Sequence, residues 1–416
     1  MKILIVTYAF VPISSPGAKR MESFAKYLSK SKDIEVTVLT CSNAYSSMNN
    51  VEESVNSVDY NIVKSLDSIN KNALSNGKNE GEKSFKRIKT LVKYVANKFI
   101  FPDRDITWYR SAVSALSKEE LQSFDFVIGT YPYVTNLLVA KKLAKISGAK
   151  LILDYRDLWT EDENNNGLIK GKLNKLLENN IISAADGIVS VSDYNVSILK
   201  NKVNEFTPTA LVYNGYDDEK ITDVLKTKQK KDINRFTVTY AGSFYKGERD
   251  PYSFLKSISN LKNAGLLNKE NFIFNVIGNI EEFLVEMVNT LGIDDLVNFK
   301  GLLSQEKVFK ELLDSDIQLI ITRTQAISKG EMTTKVFEYI GIGNPILCLS
   351  KPDFEISKVL GQVNFATTID VDRADTIQEY LNNSINGTLT KTENTYRQRF
   401  SRKGAAKDLE CFLKEF

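Results

Sequence analysis

The chain has 416 residues, with 55 Lys+Arg against 52 Asp+Glu and a net charge of +3. At roughly 100–200 residues per domain, two or three domains fit, and the near-balanced charge excludes the strongly basic character of a general nucleic-acid binder. The sequence holds no histidine, which excludes Ser–His and Cys–His nucleophile pairs, His-ligated zinc and a histidine general base.

No apolar run approaches the roughly 20 residues that span a bilayer. The opening run Met1–Val6 is too short for a signal-peptide core. Cys41, Cys348 and Cys411 are few, odd in number and far apart, so no disulfide framework is expected and the reducing cytoplasm is the expected compartment.

In chain order, a strand at 2–7 is followed by a loop with Pro12, Pro16 and Gly17 and a helix over 19–31, where Met21, Phe24, Ala25 and Leu28 recur at helical spacing. A second strand at 35–40 completes a βαβ unit, which implies a parallel sheet. The Asn/Ser/Lys-rich stretch over about 65–84 reads as a mobile loop. Apolar runs at 126–128, 151–153, 187–191 and 211–213 predict further strands, with helices over 134–146 and 168–184. The Lys-rich segment 220–234 reads as a helix tail and a linker. A second α/β run then begins, with strands at 236–242, 272–277, 297–300, 317–322 and 345–349. The expected organisation is therefore an N-terminal domain over 1–219, a linker over 220–235, a second domain over 236–395 and a C-terminal helical segment over 396–416. The class is α/β, with two Rossmann-like doubly wound domains facing one cleft and ligands beyond the carboxyl ends of the strands.

Four constellations follow predicted strands. Ser14-Ser15-Pro16-Gly17-Ala18-Lys19-Arg20 combines a glycine that permits close approach with a helix start that attracts phosphate, and an ordinary βα turn reads equally well. In Asp154-Tyr155-Arg156-Asp157-Leu158-Trp159, charged and aromatic groups meet at a strand end. In Tyr240-Ala241-Gly242-Ser243-Phe244-Tyr245-Lys246-Gly247-Glu248-Arg249, two cations in a glycine-punctuated turn suit a diphosphate. The string from Lys329 to Pro345 places Thr333 and Thr334 at a helix start and Lys335 and Glu338 on one helix face.

With these motifs in this order, the sequence resembles the family-4 glycosyltransferases of the GT-B fold over nearly its whole length. The residues that carry the likeness are Asp154 to Trp159, Asn214-Gly215-Tyr216-Asp217, Tyr240 to Ser243 with Lys246-Gly247, and Lys335-Val336-Phe337-Glu338-Tyr339 with Gly343-Asn344-Pro345. The resemblance implies retaining transfer from a nucleoside-diphosphate sugar to a glycan or lipid-linked acceptor, as in surface-polysaccharide assembly, without metal or cofactor. It implies that Lys246 and Arg249 face the diphosphate, with Asp157 a further catalytic group. Gly17, Gly242, Ser243, Thr333, Thr334 and Lys335 would line the donor, and Glu338 would hold the ribose. Arg20, Arg156 and Trp159 fall to the acceptor side. The family's E-x7-E motif would place a glutamate where Gly330 stands, with Glu331 one position away, and the active-site histidine of many members is absent. A catalytically silent binding subunit, which the Gly330 departure keeps open, and a sugar-nucleotide epimerase, which the missing histidine weakens, stand beside the transferase reading.

One further segment suggests a partner. Over 83–101, apolar Phe85, Ile88, Leu91, Val92, Val95 and Phe99 alternate with Lys83, Lys86, Arg87, Lys89, Lys93 and Lys98. On a helix this pattern suits an anionic membrane surface, and it equally suits a helix docked on the first domain.

Overall fold

The structure is a computed structural model, and it describes residues 1–13, 15–44, 59–67, 100–161, 168–228, 235–387 and 396–416. The chain divides into two units: unit 1 is Met1–Tyr213 with Ala405–Phe416, and unit 2 is Asn214–Gly404. The loop expected over 65–84 and the basic helix expected over 83–101 fall almost entirely outside the described residues.

Unit 1 runs β1 (Lys2–Val6), α1 (Pro16–Leu28), β2 (Glu35–Cys41), β3 (Asn61–Ser65), α2 (Tyr109–Val113) and α3 (Lys118–Leu121). It continues with β4 (Phe126–Tyr131), α4 (Val134–Ser147), β5 (Lys150–Tyr155), α5 (Leu168–Ile182), β6 (Gly187–Ser190), α6 (Asp193–Lys200) and β7 (Thr209–Leu211). The seven strands lie in the order β3-β2-β1-β4-β5-β6-β7, and every neighbouring pair is parallel. Both sheet faces are apolar, as a parallel sheet covered by helices requires. Successive residues of β1 serve opposite faces. Ile3 and Ile5 pack with Met21, Phe24 and Leu28 of α1, while Leu4 and Val6 join Leu137, Ala140 and Leu143 of α4.

α1 begins three residues before the periodic pattern does. Ser15 caps it by accepting the Ala18 N–H at 3.2 Å, and Pro16 occupies the first turn, where its missing N–H costs nothing. The strand expected at 211–213 falls two residues earlier, because the Val212 and Tyr213 carbonyls accept from the Arg20 guanidinium.

Unit 2 runs α7 (Asp218–Lys226), β8 (Phe236–Ala241), α8 (Tyr252–Asn263), β9 (Phe272–Ile277), α9 (Glu282–Thr290), β10 (Val297–Gly301) and α10 (Gln305–Leu313). Then come β11 (Ile317–Ile321), α11 (Thr334–Ile342), β12 (Ile346–Leu349), α12 (Glu355–Leu360), β13 (Ala366–Ile369) and α13 (Ala374–Ile385), and α14 (Arg402–Leu413) returns to unit 1 from Ala405. The parallel sheet of unit 2 has the order β10-β9-β8-β11-β12-β13, the same winding as the six strands β3-β2-β1-β4-β5-β6 of unit 1. The core on one face joins Val238, Phe272, Phe274 and Leu319 to Phe254 and Ile258 of α8 and Ile377 of α13. Each such side chain contributes about 1.5–3 kcal/mol when fully buried.

The expected boundary at 219 shifts to 213. α7, read as a helix tail and linker, is an amphipathic helix capped by Asp217, with Ile221 and Val224 buried and its contacts on α10 and α11 of unit 2. From Ala405 the last helix belongs to unit 1, where Leu409, Phe412 and Leu413 pack with Met21 and Phe24.

Candidate functional site

In unit 2 the winding reverses between β8 and β11, since β8 pairs with β9 on one side and with β11 on the other. Loops leaving the two strands diverge there, which opens a crevice beyond their carboxyl ends. A cavity open to solvent sits at this place and is lined by Tyr240 and Ala241 of β8, Leu319 to Ile321 of β11, and Arg249, Arg323, Glu331, Thr333 and Lys335.

The turn after β8 is built on two glycines. Gly242 has φ +153° and donates its N–H to the Ile277 carbonyl at 2.8 Å. A Cβ on Gly278 would lie 2.2 Å from the Gly242 oxygen, so the backbones meet only because that side chain is missing. The space where Gly242 would carry its own Cβ is filled by the Lys335 ammonium, 2.0 Å from that position. Beyond Gly242, Ser243 presents its carbonyl to the Tyr240 hydroxyl at 3.0 Å and to Arg249 Nη1 at 3.2 Å. Tyr245 is held in the left-handed region, φ +52°, where Glu281 Oε2 accepts both its N–H and that of Phe244.

Three cations line the cavity. Arg249 lies over the Tyr245 ring and reaches Glu331 Oε1 at 3.4 Å. Arg323, two residues past β11, pairs with Glu248 at 2.7 Å and with Glu331 Oε2 at 3.7 Å. Lys335 sits by the Tyr240 ring, and burial followed by the charge of Arg249 lowers its pKa to about 8 against the pull of Glu338. Burial likewise pushes the Tyr240 hydroxyl up to about 12, so it remains a neutral hydrogen-bond donor. Lys246 is exposed on the tip of the loop and does not line the cavity.

α11 starts at this cavity. Thr333 is its N-cap residue by backbone shape, yet its hydroxyl caps nothing and has no hydrogen-bond partner among the described residues. The first-turn amides and an idle buried hydroxyl form a donor-rich edge suited to an anion. One turn on, Glu338 accepts from Gln305 Nε2 at 3.1 Å. The other end of α11 is fixed by Gly343 in the left-handed conformation and by buried Asn344. The Asn344 side-chain nitrogen donates toward the carbonyls of Leu312, Leu313 and Ser315 at 2.8–2.9 Å.

The candidate residues of unit 1 form a chain of contacts. Arg20 is buried on Asp154, with Nη2 at 2.8 Å from a carboxylate that is itself fully buried. Thr130 donates to the same carboxylate at 2.8 Å and accepts from Arg156 Nε at 3.2 Å. Arg156 also donates to the Pro132 carbonyl at 2.7 Å, and its guanidinium lies over Gly17, where a Cβ would come within 2.3 Å. Burial lowers the Arg156 pKa against Asp154 and Asp157.

The corrections in unit 1 are physical. Arg20, expected at the acceptor, is spent inside the core on Asp154 and two carbonyls. Trp159 is 2% exposed and stacks on Tyr131 at 5.9 Å. Gly17 is needed by Arg156, whatever else approaches it. Arg156 is half-buried and Asp157 exposed at the end of β5.

Sequence reasoning missed Arg323, Glu281, Gly278 and the pairing role of Glu331. The position of Arg323 just past a strand of the second half was a usable signal. Glu281 and Gly278 act across the sheet, where spacing gives none.

No family model matches the chain, and no curated protein matches it in sequence. Solved structures do match. Sucrose-phosphate synthase from Thermosynechococcus elongatus aligns over 100% of this chain and 98% of its own, at TM-score 0.59 and 11% identity. Anabaena HepE, in complex with UDP and glucose, aligns over 100% of both chains at TM-score 0.56 and 14% identity. UDP-GlcNAc 2-epimerase from Neisseria meningitidis, bound to UDP-GlcNAc, aligns over 100% of both at TM-score 0.56 and 14% identity. The fold is GT-B. Among these GT-B proteins a synthase and an epimerase share one architecture, so the fold leaves the reaction open.

Proposed function

We propose that the chain is a retaining glycosyltransferase that moves a sugar from a nucleoside-diphosphate sugar to a glycan or lipid-linked acceptor in surface-polysaccharide assembly, without a metal. The observation that carries this reading is the cavity at the β8/β11 reversal, where Arg249, Arg323 and Lys335 gather beside the idle Thr333 hydroxyl and the start of α11. Arg249 and Arg323 share the single carboxylate of Glu331, at 3.4 and 3.7 Å, and an incoming diphosphate, with more acceptor oxygens and charge, would compete for them and for Lys335.

In this reading Lys335 and Arg249 meet the diphosphate and Thr333 and Thr334 lie against it. Gly242 and Ser243 let it approach the backbone, and Glu338 accepts the ribose hydroxyls. Lys246 serves as an outer cation. Asp157 and Arg156 in unit 1 contact the acceptor. The bond from the anomeric carbon to the phosphate oxygen breaks as the acceptor hydroxyl adds on the same face, and the departing phosphate oxygen takes the hydroxyl proton. No histidine is required. The protein supplies charge and a fixed pose, and losing one main cation would remove about 3–4 kcal/mol of transition-state stabilisation, by analogy with oxyanion donors.

A thermal-shift panel of UDP, GDP, ADP and CDP tests the site. Ligand at 100 times its dissociation constant adds roughly 2.7 kcal/mol of stability. Glu338→Ala should lose that shift while keeping its melting point, and four unresponsive nucleotides would reject the reading. The epimerase alternative is favoured by likeness to two UDP-GlcNAc 2-epimerases, from Neisseria meningitidis and, as a putative enzyme, Listeria monocytogenes. Released nucleoside diphosphate with a glycosylated product supports transfer, and a C2-inverted sugar nucleotide supports epimerisation. Binding with neither product supports the silent subunit that Gly330 allows.

A further inference from the structure

α5 of unit 1 has an outward face that stays exposed among the described residues. Asn174, Glu178, Ile181 and Ile182 turn inward and are at most 2% exposed. Ile169, Leu173 and Leu176, spaced four and three residues apart, form one stripe on the opposite side, with exposures of 79%, 46% and 67%. Single exposed leucines are ordinary, but three aligned on one helix form a patch. Lys170, Lys172 and Lys175 are exposed along the same helix. The only acid of α5 is Glu178, fully buried and held by Lys202 at 2.6 Å, so no carboxylate of the helix offsets the three ammonium groups at its surface.

We propose that α5 docks unit 1 on an anionic lipid bilayer surface. A second copy of the chain could cover the apolar stripe, but it would set three lysines against three lysines with no acid on either helix. An anionic bilayer meets both features. The three apolar side chains enter the boundary between headgroups and acyl chains, and the lysine stems lie along them with their ammonium groups among the phosphates. The inference does not depend on the donor reading, because it concerns a surface of unit 1.

Co-sedimentation of the full chain with vesicles decides it, using phosphatidylglycerol mixed with phosphatidylcholine against phosphatidylcholine alone. The unaltered chain should pellet with the anionic vesicles at low salt, release at high salt and ignore the neutral ones. The variant Lys170→Gln/Lys172→Gln/Lys175→Gln should partition roughly a hundredfold more weakly. Leu173→Gln/Leu176→Gln should also lose binding, and both variants should keep the melting point and the nucleotide shifts. If the apolar variant fails to fold, the salt series and the lysine variant still decide. No pelleting of the unaltered chain at low salt overturns the proposal, as does pelleting unchanged in both variants. A dimer in size-exclusion chromatography that the leucine variant converts to monomer also overturns it, and makes the face a self-association surface.

Discussion

Lys335 works against the stability of the protein that carries it. Its pKa in the folded chain is about 8, below its ordinary 10.5. The native state therefore holds that proton more weakly than the unfolded chain does, so the lysine subtracts stability below pH 8, and the penalty fades as pH rises from about 8 to 10.5. Lys335→Met should raise the melting temperature of the ligand-free chain at pH 7 and lose the gain near pH 10. The same substitution should weaken nucleoside-diphosphate binding, and in the unaltered chain affinity should fall by up to about tenfold per pH unit above 8, measured by calorimetry. A site that sacrifices stability for charge shows both signs, whereas a merely structural lysine would lose stability on removal. Gly242→Ala tests the geometry, since its Cβ would displace the ammonium. Turnover should drop roughly a hundredfold, the scale of an ångström's misplacement. Arg20 gives the opposite signature. Arg20→Met strands Asp154 in the core and should cost unit 1 about 3–5 kcal/mol in denaturant unfolding, with nucleotide binding intact.

At the scale of elements, α11 is a bracket fastened at both ends. Its start meets the cavity and its end is fixed by Asn344, whose amide ties the end of α10, the turn before β11 and the entry to β12. Asn344→Ala removes the amide donor of buried carbonyls, so unit 2 should lose about 2–4 kcal/mol, and the nucleotide contact proposed for Glu338 should loosen with it. The sequence marks Gly343-Asn344-Pro345 as a helix stop, and the stop is where it should be. That Asn344 also joins three segments is a tertiary fact with no local sign. The central strands were legible for the same reason they are stable: β1, β5, β9 and β11 are buried and read as apolar runs. The missed strands, β3 and β13, are the last strand on one edge of each sheet, and the mixed Asn61-Ile62-Val63-Lys64-Ser65 and Ala366-Thr367-Thr368-Ile369 carry no such run. The site was legible in its glycines and in the Thr333-to-Glu338 string. The place of Lys335 against Gly242 was not, because the two are far apart in sequence and meet only through the packing of α11 on β8.

At the scale of the molecule, two sheets of like winding each carry a core of their own, and the chain visits unit 1 twice. Removing residues 405–416 takes Leu409, Phe412 and Leu413 from the core around Met21 and Phe24. At about 1.5–3 kcal/mol each, that loss is comparable with the whole stability of a domain. Hydrogen exchange should then show unit 1 opening while unit 2 stays protected. The same connectivity bears on how the protein is made. The ribosome delivers the sheet of unit 1 first, but the segment 405–416 emerges only after all of unit 2 has been translated. Throughout that interval the nascent chain carries an uncovered greasy flank around Met21 and Phe24, a target for holdase chaperones. Ribosome-stalled chains of increasing length should cross-link to such a chaperone until 405–416 clears the exit tunnel, and then let go.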